Sequence, residues 1–244
     1  MPRFFVDKSK ISDKEVQIEG QDAFHIARSL RMAVGDRITV CDGEGAEYAA
    51  VLTRIRDESC LAEIKERLEA ETELPVSLTL FMAYPKGDKL ETVIQKAVEL
   101  GCDRIVPFES SRCIKRPKAE KTDKLLTRLN RIAEEAAKQC GRSKLPSVLA
   151  PLSFGEMLAE TKNTDLTLFC YEDEKQISIK SALEKVKEKD RIGLIVGSEG
   201  GFSPEEASRI TEDGAISVSL GKRILRCETA PLFALSCIAY KFEL

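Results

Sequence analysis

Hydrophobic positions fall at a period of two early in the chain and later in blocks that alternate between strand-like and helix-like spacing. Residues 1–70 read as short strands broken by glycine turns. The plainest is DRITVCD-GEG-AEYAAVL (36–52), two alternating runs joined by a glycine-bearing turn, and therefore a hairpin. This pattern predicts a small β-barrel domain over 1–70. Between its strands, Gln21 to Arg31 reads as a short helix with His25 and Arg28 on one face, since residues three apart are neighbours on a helix. The polar stretch ERLEAETELP (66–75) reads as a linker.

From Val76 the period changes. VSLTLFMAY (76–84) is a strand-like apolar run; after Gly87, Leu90, Val93, Ile94, Ala97 and Val98 recur at helical spacing until Gly101 stops them. DRIVPF (103–108) reads as a second strand. A long basic helix follows over about 118–140, with Leu125, Leu129, Ile132, Ala136 and Cys140 as its apolar stripe. Strands return at DLTLFCYE, RIGLIVG and AISVSLG, separated by helical segments, before a final apolar helix from Thr229. The alternation predicts an α/β domain over 71–244, built on a mostly parallel sheet covered on both faces.

Composition narrows the function classes. A chain of 244 residues, 43% hydrophobic, can bury the core of one large domain and a small one. The apolar stretches at 192–196 and 230–240 are too short or too mixed to cross a bilayer, and no signal-peptide pattern opens the sequence, so a soluble cytoplasmic protein is expected. The eight cysteines are widely spaced inside apolar segments and read as small buried hydrophobes. His25 is the only histidine and C-x-x-C is absent, so no metal site is expected, and Ser/His/Asp or Cys/His catalysis recedes. Net charge is −3, yet 112–144 holds eleven lysines and arginines against four carboxylates. Such a stripe suits a polyanion, or is a solvated helix face.

Two loops follow apolar strands and lead toward helices, the place where open α/β sheets bind ligands. In GSEGGFS (197–203), Ser203 and Glu206 make a capping box with Pro204 at the first helical position, while the glycines allow close approach to the backbone. Neither phosphate-loop pattern is present, and Glu199 would repel a phosphate at that helix start. In LGKRILRCETAP (220–231), Gly221 ends a strand, Arg223 and Arg226 flank the apolar pair Ile224-Leu225, and Glu228 or Thr229 caps the next helix.

GSEGGFSPEE, LGKRILRCETAP and EEAAKQCGRSKLP (134–146) closely resemble the signature segments of the bacterial 16S ribosomal RNA uracil-N3 methyltransferases, RsmE type, of the SPOUT superfamily. MPRFFV, HIARSLRMAVGD and QKAVELGCDRIVPF also look like that family, so the resemblance covers nearly the whole chain. Ser198 departs from it, standing where the family usually has proline. The resemblance implies a PUA-like N-terminal barrel and a SPOUT-type knotted methyltransferase domain that binds S-adenosyl-L-methionine. It also implies 16S ribosomal RNA or the 30S subunit as partner, with no DNA and no membrane, and a homodimer; the helix PLFALSCIAY suits a dimer or ordinary core equally.

By position, the resemblance implies a cofactor pocket of Leu168, Phe169, Gly197, Glu199, Gly200, Gly201, Leu220, Ile224, Leu225 and Thr229. Uracil N3 is a poor nucleophile until its proton leaves, so positive charge or a base is needed beside it. Arg226 is the first candidate, with Arg142 and Gln139 orienting base or phosphate and Glu199 as proton acceptor or loop-structuring carboxylate. RNA contact falls to Arg3, His25, Arg28 and Arg31, with Lys115, Arg116, Gln139 and Arg142 from the basic stripe. A ribose 2′-O-methyltransferase and a non-catalytic RNA-binding factor are the rival readings; the two intact loops and both arginines disfavour the second.

Overall fold

The computed structural model describes residues 1–113 and 122–243. They form two compact units, one of Met1–Glu73 with Ala137–Leu145 and one of Leu74–Ala136 with Pro146–Leu244. The first unit is therefore not continuous in sequence, and it takes in a segment expected in the second domain.

The first unit holds β1 (Arg3–Phe5), β2 (Glu15–Glu19), α1 (Gly20–Phe24), β3 (Arg37–Cys41), β4 (Glu47–Arg54) and β5 (Ser59–Leu68), with the strands ordered β1-β3-β4-β5-β2. The predicted hairpin is β3–β4, with Cys41 opposite Glu47. Register shifts in the β4–β5 pair, at Ala49/Ala50 and Leu52/Arg54, put one extra residue on β5 and one on β4, and such bulges bend their strands. The sheet closes on Phe4, Val16, Ile18, Ile38, Val40, Leu52 and Ala62. The expected helix over Gln21–Arg31 is only partly α-helical: α1 ends at Phe24 and a π-helical turn covers His25–Ser29. Ala23 and Ile26 anchor this segment in the core and leave His25 and Arg28 exposed. β5 extends to Leu68, so the strand consumes the start of the expected linker.

The second unit alternates strands and helices except where the short β8 and β9 follow one another: β6 (Ser77–Ala83), α2 (Lys89–Glu99), β7 (Arg104–Glu109), α3 (Thr122–Cys140), β8 (Ser147–Val148), β9 (Leu152–Ser153), α4 (Phe154–Thr161), β10 (Leu166–Cys170), α5 (Ile179–Leu183), β11 (Arg191–Val196), α6 (Pro204–Glu212), β12 (Ile216–Val218) and α7 (Thr229–Glu243). Every pairing is parallel, in the order β12-β10-β11-β6-β7-β8 with β9 also on β7. Each residue of β6 after Ser77, and of β11 after Arg191, is buried. Successive side chains point to opposite faces, so continuous burial means both faces are covered. The helical residues predicted after Gly87 are the buried face of α2. In α3 the buried positions are Leu129, Ala133, Ala136 and Ala137, whereas Leu125, Ile132 and Cys140 of the expected stripe are only half-buried. The last turn of α3, from Ala137, belongs to the first unit.

Strand order positions the site. β10 lies between β11 and β12, with Leu168 level with both Leu194 and Ile216. All three strands run the same way, so the loops after them leave one edge of the sheet, the carboxyl-end crevice where such sheets bind ligands.

Candidate active site

The three loops enclose a cavity of about 890 Å³. Tyr171, Glu172 and Glu174 line it after β10, Gly197, Ser198, Glu199 and Gly201 after β11, Ser219 to Glu228 after β12, and Lys89 from the start of α2.

The loop after β11 is pinned at its far end. Ser203 accepts from the Glu206 N–H while the Glu206 carboxylate accepts from the Ser203 N–H, with Pro204 in the first turn. Glu206 also accepts from the Ser111 N–H (2.7 Å) and Oγ (2.8 Å). Phe202 is buried edge-on to Phe169, with ring centroids 5.0 Å apart, and stacked on Phe108. A Cβ on Gly197 would lie 2.9 Å from the Phe202 ring, and Gly201, at φ +62°, would carry its Cβ into the Glu172 carboxylate. Both positions need glycine because the loop folds tightly on its own neighbours. Ser198 is only 6% exposed. Its carbonyl accepts from the Gly201 N–H at 3.0 Å, but its Oγ has no hydrogen-bond partner among the described residues.

Lys89 ties this loop to the next. Its Nζ lies 2.8 Å from Glu199 Oε1 and 3.2 Å from Glu228 Oε2, and donates to Cys227 Sγ at 3.7 Å. Glu199 also accepts from the Lys86 N–H at 3.1 Å. Burial opposes ionisation of Glu199, but hydrogen bonds from Lys89 and the Lys86 N–H prevail and hold its carboxyl below the usual range. Burial first, then the bond to Glu228, pushes the Cys227 thiol up to about 12, so it stays protonated and is not a nucleophile. In the loop after β12, the Arg226 carbonyl accepts from the N–H groups of Thr229 (2.8 Å) and Ala230 (2.9 Å), which starts α7. The Arg226 side chain is exposed on the cavity wall and has no ion-pair partner among the described residues.

Of the predicted cofactor residues, Gly197, Glu199, Gly201, Leu220, Ile224 and Leu225 line the cavity beside Arg226. Leu168 and Phe169 do not. Both are fully buried in β10, one or two residues before the strand emerges, and Phe169 instead supports Tyr171 (ring centroids 5.1 Å apart) and Phe202. Gly200 points its carbonyl at Arg112 Nη1 (3.0 Å) and Thr229 opens α7; neither is on the cavity wall. Lys89, Tyr171, Glu172 and Glu228 are lining residues that sequence reasoning missed. The partner that marks Lys89 lies 110 residues away, so no local pattern could single it out.

The first unit revises other expectations. Arg142, expected beside the base or phosphate, is buried at 3% side-chain exposure in an ion pair with Glu73 (2.7 Å). Glu73 Oε1 also accepts from the N–H groups of Ser143 (2.9 Å) and Lys144 (3.0 Å). A guanidinium held this way is not free for substrate. Arg3, expected on the RNA surface, donates to Glu47 (2.6 Å) and the Arg142 carbonyl (3.2 Å) and is half-buried. His25, Arg31 and Gln139 are exposed, and Arg28 is exposed in a pair with Asp57. Lys115 and Arg116 lie outside the described residues. Among the described residues no helix is long and apolar enough to cross a membrane.

Comparison with known proteins places this architecture. Residues 72–239 match the model of the RNA methyltransferase domain and 18–65 that of the RNA methyltransferase PUA domain. The chain is 36% identical to ribosomal RNA small subunit methyltransferase E of Bacillus subtilis, over 100% of this chain and 98% of that one. The protein belongs to this methyltransferase family. The Synechocystis member is 34% identical over 97% of this chain and 76% of its own length. Among solved structures, family member E from Neisseria gonorrhoeae, bound to S-adenosyl methionine, superposes with a TM-score of 0.88 at 31% identity, covering 99% of this chain and 98% of that one. A methyltransferase from Legionella pneumophila, in complex with the bound cofactor SAM, gives 0.85 at 29% identity, covering 98% and 97%. The family fold is a SPOUT-type α/β domain joined to a PUA-like β domain.

Proposed function

We propose that the protein methylates uracil N3 of a uridine in 16S ribosomal RNA, with S-adenosyl-L-methionine as donor and the 30S subunit as substrate. One observation carries this reading: two glycine-bearing loops and a lysine that bridges them wall a single cleft, and Arg226, without an ion-pair partner among the described residues, stands on its rim. The donor fits what the chain offers. A cavity of about 890 Å³ is the size of a small-molecule site. Val196, Leu220, Leu225 and Ala230 give it apolar wall for an adenine. When bound, the donor supplies an already activated methyl group on sulfur, so the work left to the protein is alignment and exclusion of water.

The acceptor is where side chains matter. As the N3 proton leaves, negative charge spreads onto the uracil carbonyl oxygens, and the exposed Arg226 guanidinium on the cavity wall can hydrogen-bond them. Glu199 serves as a staple in this reading: tied to Lys89 and the Lys86 N–H, with its carboxyl below the usual range, it is a weak proton acceptor. Exposed His25, Arg28 and Arg31 suit RNA contact. Arg28 can exchange Asp57 for a phosphate because an exposed pair is worth little, about 0–1 kcal/mol. We also assign a homodimer, since α7 keeps Phe233 and Tyr240 exposed beside a fully apolar buried face.

The decisive experiment incubates the protein with labelled S-adenosylmethionine and 30S subunits that lack the modification, beside free 16S RNA, and identifies the labelled nucleoside. N3-methyluridine from the subunits is expected. A ribose-methylated nucleoside, or no transfer at all, overturns the assignment.

A further inference from the structure

Removal of the uracil N3 proton needs a basic group that is not already engaged. Four carboxylates line the cavity: Glu172, Glu174, Glu199 and Glu228. Three are committed. Glu199 accepts from the Lys86 N–H and Lys89, Glu228 from Lys89 and the Cys227 thiol (3.2 Å), and Glu174 from the N–H groups of Gln176 (2.7 Å) and Ile177 (3.0 Å). Other groups of the wall hold their protons. The bond to Glu199, and then that to Glu228, raises the pKa of Lys89, while burial pushes the Cys170 and Cys227 thiols up to about 12 and raises the Tyr171 phenol. The remaining lysines and arginines carry donors and no acceptor. Glu172 differs from all of these. It is exposed, and its carboxylate lies against Gly201, where an added Cβ would strike Oε1, so the acid group stands over a turn that itself lines the cavity. It has no hydrogen-bond or ion-pair partner among the described residues, which leaves its lone pairs open to an incoming group.

We propose that Glu172 is the general base that takes the N3 proton of the target uracil. This rests on the reading that the cleft methylates uracil N3. The proton passes to a Glu172 oxygen, the electron pair it leaves on N3 forms the bond to the methyl carbon, and the carbon–sulfur pair returns to sulfur. A carboxylate and a sulfonium thus end as a carboxylic acid and a neutral thioether, and Glu172 afterwards releases its proton to water. A cleft that excludes water favours the loss of two charges, which offsets part of the mismatch between a weak carboxylate base and the N3 proton. Arg226, on the same wall, serves the carbonyl oxygens while Glu172 serves the nitrogen.

The test follows methyl transfer to 30S subunits that lack the modification, by the full chain as wild type, Glu172→Gln and Glu172→Asp. Turnover is measured at saturating labelled S-adenosylmethionine across a series of pH values, and donor affinity by calorimetry. Glu172→Gln is expected to lower kcat at neutral pH by about 10²- to 10⁴-fold, the usual share of a general base, with donor affinity within a few-fold of wild type. Its rate should then climb by about tenfold per pH unit as uracil begins to ionise unaided, closing the gap to wild type, whose rate stays level. Glu172→Asp, which keeps a carboxylate on a shorter arm, should retain part of the rate and the level profile. Three outcomes overturn the inference and leave the proposed function standing: normal turnover in Glu172→Gln, a loss confined to donor affinity, which makes Glu172 a holder of the donor's positive charge, and a loss in kcat of the same size at every pH. A wild type that yields no N3-methyluridine overturns both.

Discussion

Arg226 and Arg142 both sit in segments that resemble the family's signatures, yet one is exposed on the cleft and the other buried against a carboxylate. Their substitutions should therefore separate. Arg226→Ala is expected to lower kcat about 10²- to 10³-fold, the effect of losing one donor to developing negative charge, while calorimetry shows donor affinity within a few-fold of wild type. Arg226→Lys keeps the charge without the planar fork and should lie between. Normal turnover in Arg226→Ala would remove this side chain from the reaction. Glu73→Gln instead strands the Arg142 charge inside the first unit, with a stability loss of roughly 3–5 kcal/mol by denaturant melts. The loss is pH-dependent. Burial opposes the Glu73 charge, but Arg142 and the Ser143 and Lys144 N–H groups outweigh it and lower its pKa. A carboxyl with a lowered folded pKa stabilises above its unfolded value and loses that contribution as pH falls through the folded one. The gap between wild type and Glu73→Gln should thus be full at neutral pH and shrink below the ordinary glutamate range.

Among the elements, the loops decide more than the strands. Gly201 holds a positive φ against Glu172, so Gly201→Ala strains the backbone by roughly 1–2 kcal/mol and must also displace that carboxylate from the cleft. Weaker donor binding and a lower Tm are expected together, and an unchanged dissociation constant would show that the loop has slack. Lys89→Met makes a complementary test. It removes the bridge between Glu199 and Glu228, leaves two carboxylates facing each other without their cation, and should weaken donor binding by tenfold or more while α2 remains helical by circular dichroism.

For the whole molecule, the unpartnered surface of α7 is the feature that points beyond one chain. Phe233 and Tyr240 are exposed on a helix whose other face is packed through Ala230, Ala234, Leu235 and Ile238. Sedimentation equilibrium should give a dimer for wild type and a monomer for the Phe233→Glu, Tyr240→Glu double variant; a wild-type monomer at micromolar concentration removes the dimer from the proposal.

The sequence by itself determined what is local. The β3–β4 hairpin, the buried face of α2, the capped start of α6 and the alternation that makes the sheet parallel were all legible, because period, turn chemistry and capping act within a few residues of one another. Both glycine-bearing loops that line the cavity could be recognised for the same reason. Only the tertiary structure decided which elements meet: that β10 runs between β11 and β12, that Leu168 and Phe169 stop short of the cleft, that Lys89 bridges to Glu199, and that Arg142 is taken by a glutamate in what read as a linker. Those pairings join residues separated by tens to more than a hundred positions, and a pattern read along one element carries no information about the partner that a distant crossing brings to it.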